Sequence, residues 1–136
     1  MLKVVWILRT RKAMIKDLDA INELTIEMHN HLGASVGIKF TKEELKHEMY
    51  ESEEDLENTY VAESEGKVVG YMTFSQRIQE NEFFGKYYHL YHIVVKRGFR
   101  KKGVATRLFN KLLKRAKQEN VNIVAGTFCL NKEALK

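Results

Sequence analysis

A β-prone run that leads through a basic turn into an amphipathic helix is the feature that most restricts the fold of this chain. The run extends over Tyr87–Val95 and is rich in aromatic and β-branched residues, which favour a strand. The turn covers 96–102, and a helix is predicted from about Gly103 to Asn120 because apolar residues recur there at every fourth position. The segment therefore predicts a strand that leads directly into a helix, as in α/β and α+β proteins. The recurring residues are Val104, Leu108, Leu112 and Ala116.

Strand and helix patterns also alternate over the rest of the chain. Glu65-Gly66 joins two β-prone segments as a tight hairpin would, and Gly70 in the second segment indicates a bulge or a close backbone approach. Thr41, with Glu44 three residues later, matches a capping box and predicts the start of a helix. The order predicts an α/β or α+β fold with a mixed sheet. The remaining predicted elements are a strand at 4–11, a helix at 16–30, a loop at 31–39, strands at 58–64 and 67–75, a polar loop at 76–86 and a strand at 121–128.

Length and composition limit the chain further. With 136 residues, we expect one domain over 1–136. No apolar run reaches the roughly 18–20 residues that a membrane-spanning helix needs, so we expect no membrane partner. Cys129 is the only cysteine, which excludes an intramolecular disulfide, and we expect no metal site. These features are typical of a cytoplasmic protein.

Positive charge is concentrated in the second half of the chain. Residues 69–136 carry fourteen Lys and Arg side chains against four Asp and Glu, and 96–117 carries ten basic residues and no acidic one. Such a field favours an anionic ligand, namely a phosphate, a nucleotide or a nucleic acid. The alternative is a solvated basic helix face without a ligand.

The strand-to-helix junction at Arg100–Ala105 is the best candidate for an anion site. At the start of a helix the first N–H groups have no partner within the helix, and the helix dipole adds partial positive charge. Gly103 and Ala105 have little or no side chain, so a phosphate oxygen can approach the main chain closely. The three basic residues before Gly103 add further charge. The junction therefore predicts a phosphate site.

This junction resembles the pyrophosphate-binding signature of the GNAT acyltransferase superfamily, Gln/Arg-x-x-Gly-x-Gly/Ala. Further similarity lies in Val68-Val69-Gly70-Tyr71, and the resemblance covers nearly the whole chain. It implies a mixed, mainly antiparallel sheet flanked by helices, and acetyl-CoA as cosubstrate. The pantetheine arm would pair with the strand, and the pyrophosphate would contact the turn. The residues with these implied roles are Ile93, Val94 and Val95 for the arm, Arg100, Lys101, Lys102, Gly103, Val104 and Ala105 for the pyrophosphate, and Asn131, which alternatively is only a helix N-cap.

Candidate catalytic residues lie on the same strand. An amine titrates at about 10.4, so its attack on a thioester at neutral pH needs a base. Some family members carry an acidic residue four positions before the residue that matches Val95, and Tyr91 occupies that position here, next to His92. A histidine is a suitable base. Because neighbouring strand residues point to opposite faces, only one of the two is expected to reach the cleft. The alternative is that His92 is a half-buried sheet residue without a catalytic role.

The sequence departs from the family pattern at its C-terminal end. Many members carry a tyrosine a few residues after an Asn-x-x-Ala sequence, where it acts as general acid on the CoA sulfur. This sequence stops at Lys136, before or at that place, and the closing strands of the fold are absent from it. Either the domain is short, or the sequence is truncated, or another chain completes the sheet. Because an uncovered sheet edge favours pairing, a homodimer is expected.

The favoured function is transfer of an acetyl group from acetyl-CoA to a primary amine of a small molecule or peptide. One alternative is a nucleic-acid-binding module that uses 96–117, which is disfavoured because aromatic residues are not interleaved with the basic helix. Another alternative is a member of the same fold that binds CoA without catalysis. The segment 41–57 carries eight acidic residues and two lysines, and either draws a cationic acceptor toward the thioester or is a solvated acidic helix.

Overall fold

A computed structural model describes residues 8–34, 36–37, 39, 41, 43–46 and 49–125 of the chain. In this part of the chain, strands form one sheet and two long helices pack on its opposite faces. The sheet is mixed and mainly antiparallel, which confirms the predicted fold class. The strands are β1 (Leu8–Lys12), β2 (Thr59–Ser64), β3 (Lys67–Phe74), β4 (Gln79–Asn81), β5 (Gly85–Val95) and β6 (Asn122–Ala125), and the helices are α1 (Leu18–Ala34) and α2 (Val104–Glu119).

The sheet order is β1-β2-β3-β5-β4 with antiparallel neighbours, and β6 pairs with β5 in parallel. The predicted hairpin joins β2 to β3, and its residues Glu65 and Gly66 have φ values of 53° and 77°. Two-residue hairpins of type I′ require positive φ at both positions, which accounts for the glycine. The segment predicted as a polar loop at 76–86 instead contains β4, because its backbone pairs with the start of β5 although its side chains are polar.

Each face of the sheet carries its own core, because successive strand residues point to opposite sides. On one face, Val61, Tyr71 and Val94 pack with Ile21 and Leu24 of α1. On the other face, the next residue along each of these strands packs against α2. Those residues are Ala62, Met72 and Val95, and their partners on α2 include Leu108 and Leu112. The sheet therefore separates an α1 side from an α2 side.

Gly70 allows α2 to lie directly on β3. A Cβ atom at this position would lie 2.9 Å from Cγ1 of Val104 and 2.9 Å from the carbonyl oxygen of Val94. The pairing of β2 with β3 also changes register beside Gly70, between Ala62 and Glu63, which marks a bulge. Both interpretations of Gly70 from the sequence are confirmed, and the start of α2 is held against the sheet.

A partly buried ion-pair network fixes the entry into α1. Arg11 of β1 donates hydrogen bonds to the two carboxylate oxygens of Asp17 at 2.7 and 2.9 Å, and to Oε2 of Glu63 at 3.1 Å. Asp17 also accepts the N–H of Met14 at 2.8 Å. Burial alone would raise the pKa of Asp17, but the hydrogen bonds from Arg11 and Met14 hold that pKa below its usual value. The network therefore favours the ionised form of Asp17.

The structure differs from the sequence prediction around the first two helices. α1 continues to Ala34 through Gly33, which is buried, so packing outweighs the low helix propensity of glycine. After Thr41 the described residues form turns rather than a regular helix, although Oγ1 of Thr41 accepts the N–H of Glu44 at 3.2 Å, as in a capping box. The predicted strand residues 4–7 and 126–128 lie outside the described residues. None of the described helices is long and apolar enough to cross a membrane.

Candidate active site

β5 has different partners along its two edges. On one edge Leu90–Val95 pairs with β3, and on the other edge Tyr87–Leu90 pairs with β6. The described part of β6 ends at Ala125, which pairs with Leu90, and no described residue pairs with the β6-side edge of Tyr91–Val95. The N–H and C=O groups on that edge can therefore bind an extended ligand that carries amide groups.

A bulge lies in β5 beside Leu90, the last residue that pairs with the described part of β6. Thr73 of β3 lies opposite His92, and the next residue, Phe74, lies opposite Leu90. Tyr91 is thus an extra residue in β5, and such an insertion bends the strand and increases its twist. The bulge marks the start of the unpaired edge.

The three residues implied to hold the pantetheine arm all lie along this unpaired edge. Ile93, Val94 and Val95 have at most 6% of their surface exposed, and their side chains belong to the two cores. Only their main chain is therefore available to a ligand. This is consistent with recognition of an amide-bearing arm by backbone groups rather than by side chains.

The turn between β5 and α2 has an unusual backbone. Gly98, Lys101 and Gly103 have φ values of 94°, 63° and 81°. Positive φ is uncommon for a residue such as lysine, and such strain is concentrated at functional sites. Gly103 is the N-cap of α2, and its carbonyl oxygen accepts the N–H of Arg107 at 3.0 Å. The N–H groups of 104–106 therefore have no carbonyl partner one turn earlier in α2.

These N–H groups border a small recess that carries positive charge. Lys101 and Lys102 are exposed, and Nζ of Lys102 lies 5.5 Å from the ring centroid of Phe99. The side chains of Val104 and Ala105 are buried on the α2 side, so these two residues offer only their backbone. This donor set fits a pyrophosphate. The recess is lined by Val95, Phe99, Arg100, Lys101, Gly103, Val104, Ala105 and Thr106.

A cavity of about 280 Å³, here called the His92 cavity, lies on the α1 side of the sheet. His92 belongs to the same part of β5 whose edge is unpaired. Tyr91, the other candidate, is 37% exposed, and its ring centroid lies 4.5 Å from that of His89. Tyr91 is not among the described residues that line the cavity. Those residues are Thr25, Met28, His29, Met49, Tyr50, Asp55, Tyr71 and His92.

Hydrogen bonds hold the polar walls of the His92 cavity in place. The hydroxyl groups of Thr25 and Tyr71 lie 2.7 Å apart, and the Tyr50 hydroxyl lies 2.8 Å from Oγ1 of Thr73. Asn22 of α1 fixes the Tyr50 backbone, because it donates to the Tyr50 carbonyl oxygen at 2.9 Å and accepts its N–H at 2.8 Å. Sequence patterns did not single out these residues as site residues, although Tyr71 lies in the segment Val68-Val69-Gly70-Tyr71, which resembles the GNAT superfamily.

Comparison with known proteins agrees with this arrangement. A family model described as the acetyltransferase (GNAT) family matches residues 18–136. The chain belongs to the GNAT acetyltransferase family. The resemblance stated from the sequence is thereby confirmed. Members of this family use acetyl-CoA. No curated protein sequence matches the chain significantly.

Solved GNAT structures share the fold of the chain. A protein from Staphylococcus aureus Mu50 that is classed as an acetyltransferase is 25% identical, with a TM-score of 0.66 over 93% of this chain and 84% of that one. A protein from Clostridium difficile 630 of the same class is 19% identical, with a TM-score of 0.64 over 94% and 86%. An aminoglycoside N-acetyltransferase in complex with CoA is 13% identical, with a TM-score of 0.60 over 93% and 81%.

The structure brings most of the predicted site residues of this GNAT protein into one continuous region. The segment Arg100–Ala105 begins five residues after Val95, the buried end of β5, and extends into the start of α2, and His92 lies three residues before Val95 on that strand. Tyr91 occupies the bulge. Asn131 lies outside the described residues.

Proposed function

We propose that this GNAT protein is an N-acetyltransferase that transfers the acetyl group of acetyl-CoA directly to a primary amine of a small molecule or peptide. The observation that carries the proposal is the continuity between the open start of α2, the unpaired edge of β5 and the His92 cavity. In this arrangement the turn Arg100–Ala105 holds the pyrophosphate, and the main chain of Ile93–Val95 binds the pantetheine arm. The thioester then lies near His92.

The size of the His92 cavity favours a compact acceptor group. At about 280 Å³, the cavity lies just below the usual range of roughly 300–1,000 Å³ for small-molecule sites. Its described walls combine tyrosine and methionine side chains with one carboxylate, that of Asp55. A primary amine at the end of a chain, or on a small ring, fits such a space better than a large polycyclic body.

His92 has the position and chemistry of a general base in this reaction. Its imidazole accepts the proton that the attacking amine loses as the new C–N bond forms, because an imidazole is available as a base near neutral pH. When the C–S bond breaks, the imidazolium can return the proton to the CoA sulfur. The acceptor arrives as an ammonium ion and loses its first proton to solvent before it attacks, so each turnover releases one proton to solvent, and the reaction needs no covalent enzyme intermediate.

Two measurements test the proposal. Acetyl-CoA should raise the melting temperature, because a ligand that binds only the folded state stabilises it. The protein should also release one free CoA for each acetyl-CoA consumed in the presence of an accepted amine. Polyamines, aminoglycosides, amino acids and peptide N-termini form the test panel. Binding without CoA release across the panel would favour a non-catalytic CoA-binding protein instead, and no binding would contradict the proposal.

We further propose that the protein assembles as a homodimer, because β1, β4 and β6 each pair with only one other described strand, and sheet edges favour pairing. Sedimentation at micromolar concentration tests this. A monomer that is fully folded and active would contradict it.

A further inference from the structure

α1 contacts the phosphate-binding turn as well as the His92 cavity. Oε1 of Glu27 accepts the backbone N–H of Arg97 at 2.7 Å, across 70 residues of sequence. One helical turn later, Nε2 of His31 lies 3.4 Å from Nη1 of Arg100. Residues four apart share one face of a helix. One face of α1 therefore lies against the turn, while Thr25, Met28 and His29 of the same helix line the cavity.

The contact with Glu27 completes a series of hydrogen bonds at the base of the turn. The N–H of Lys96 donates to the carbonyl oxygen of Val69 at 2.8 Å, and the N–H of Phe99 donates to the carbonyl oxygen of Lys96 at 3.0 Å. Arg97 lies between these two anchored residues. Gly98, which follows Arg97, has a positive φ and adds no side chain that could restrain the backbone. The hydrogen bond from Phe99 to Lys96 closes the backbone around Arg97, and the carboxylate of Glu27 adds a side-chain contact that ties this backbone to α1.

We propose that Glu27 is a positioning residue for the cofactor: its hydrogen bond to the Arg97 N–H holds the turn 96–103 in the conformation that receives the pyrophosphate. The identity of the ligand rests on the proposed function, whereas the effect on the turn does not. Glu27 has a second effect of opposite sign, because its negative charge repels a nearby pyrophosphate. The hydrogen bond and the charge can be separated by substitution.

Glu27→Gln keeps an oxygen that accepts the Arg97 N–H but removes the charge, and Glu27→Ala removes both. Glu23→Ala serves as the matched control, since Glu23 is an exposed acid one turn earlier on α1. The measurements are CoA affinity by calorimetry and amide hydrogen exchange of the turn without CoA. Thermal melts establish that each variant is folded.

We expect Glu27→Ala to weaken CoA binding about five- to tenfold, as loss of one charge-assisted hydrogen bond predicts, and to speed amide exchange at Arg97 and in the rest of the turn. Glu27→Gln should bind CoA at least as tightly as the parent protein, and Glu23→Ala should match the parent. The proposal is overturned if Glu27→Ala leaves both affinity and exchange unchanged, or if Glu27→Gln loses as much as Glu27→Ala. If the parent protein binds no CoA, the proposed function fails, and the exchange data alone decide the role of Glu27.

Discussion

The hydroxyl group of Tyr71 donates its proton to Oγ1 of Thr25, 2.7 Å away, and so joins β3 to α1 at the wall of the His92 cavity. The direction follows from Thr25, whose single hydroxyl proton goes to the carbonyl oxygen of Ile21 at 2.9 Å. With its proton directed to Thr25, the Tyr71 oxygen acts as an acceptor toward its other neighbours. Because Tyr71 lines the His92 cavity, we expect this wall to border the amine acceptor.

Tyr71→Phe removes this hydroxyl while the aromatic ring keeps its place in the core. We expect a loss of about 1 kcal/mol in the free energy of unfolding, the usual contribution of one neutral hydrogen bond, together with a higher KM for the amine. CoA affinity should not change, since Tyr71 lies on the α1 side and away from the turn. Denaturant titration, calorimetry and steady-state kinetics measure the three quantities. An unchanged KM for every accepted amine would contradict a role for Tyr71 at the acceptor side.

Gly103→Asp and Gly103→Asn form a matched pair at the phosphate site. A side chain at Gly103 meets no atom within 4 Å, and Asn and Asp adopt a positive φ more often than other non-glycine residues, so the strain at its φ of 81° should be similar in the two variants. Asp also interacts favourably with the helix dipole, so its unliganded form should melt no lower than that of Asn. CoA binding should nevertheless be at least about tenfold weaker for Asp than for Asn, because a carboxylate repels the pyrophosphate. Equal CoA affinities would place the phosphates elsewhere.

The α2 side of the molecule can be predicted from the sequence because its signals are local. Apolar residues at every fourth position predict α2, and the dipeptide Glu65-Gly66 predicts a hairpin between two strands that are adjacent in sequence. Gly70 is informative for the same reason, since a glycine inside an otherwise good strand indicates that another backbone or side chain lies close.

The His92 cavity cannot be predicted in this way, because its walls come from four separated segments. Thr25 and Tyr71, for example, are 46 residues apart in sequence. The acidic segment 41–57 shows most clearly that the sequence alone does not assign residues to the cavity. Glu53 and Glu54 line a separate cavity beside Arg11, whereas the adjacent Asp55 lines the His92 cavity. A count of charges along the sequence cannot separate these neighbours, because the path of the backbone decides which of them reaches the site.

Arg11→Met leaves Asp17 buried without its cationic partner. We expect a loss of about 2–4 kcal/mol in the free energy of unfolding at pH 7, since the removal of one member of a buried pair is strongly destabilising. The pKa of Asp17 is lower in the folded protein than its value of about 3.9 in the unfolded chain. The stability due to the ion pair is therefore fully present when the pH is above the unfolded-state pKa, and it is lost as the pH falls through the folded-state pKa. In the variant, burial without Arg11 raises the pKa of Asp17, so the difference between parent and variant should begin to shrink before the pH has fallen to about 4 and should shrink further below it.

The matched control for that experiment is Arg9→Met, which changes an exposed arginine on the same strand. Its effect should stay within about 0.5 kcal/mol at every pH. Denaturant titrations at several pH values provide the comparison. A difference between Arg11→Met and the parent that does not depend on pH would show that Arg11 acts by packing rather than by its charge.

Gly70→Ala tests how α2 is seated. The added methyl group would overlap with Cγ1 of Val104 and with the carbonyl oxygen of Val94, and the backbone atom cannot move aside easily. We expect a loss of about 2–3 kcal/mol in the free energy of unfolding, and weaker CoA binding because the start of α2 shifts. Val104→Ala in the same chain removes one of the two overlaps, so the double variant should be more stable than the sum of the single losses predicts. Strict additivity would contradict this contact.

His92 and Tyr91 are neighbours in sequence, and separate substitutions of the two residues test which of them is the general base. If the imidazole of His92 takes the proton of the amine, His92→Ala should lower kcat by about 100-fold or more, with little change in the KM for acetyl-CoA. The parent rate should fall at acidic pH, because a protonated imidazole cannot act as a base.

In His92→Ala the rate should instead rise steadily toward alkaline pH, because the ammonium form of the acceptor loses its proton with a pKa of about 10.4. Tyr91→Phe, with its ring kept against His89, should retain both the rate and the shape of the pH profile. A His92→Ala profile that keeps the acid limb of the parent would remove His92 from the role of base, and a large loss in Tyr91→Phe would assign that role to the bulge.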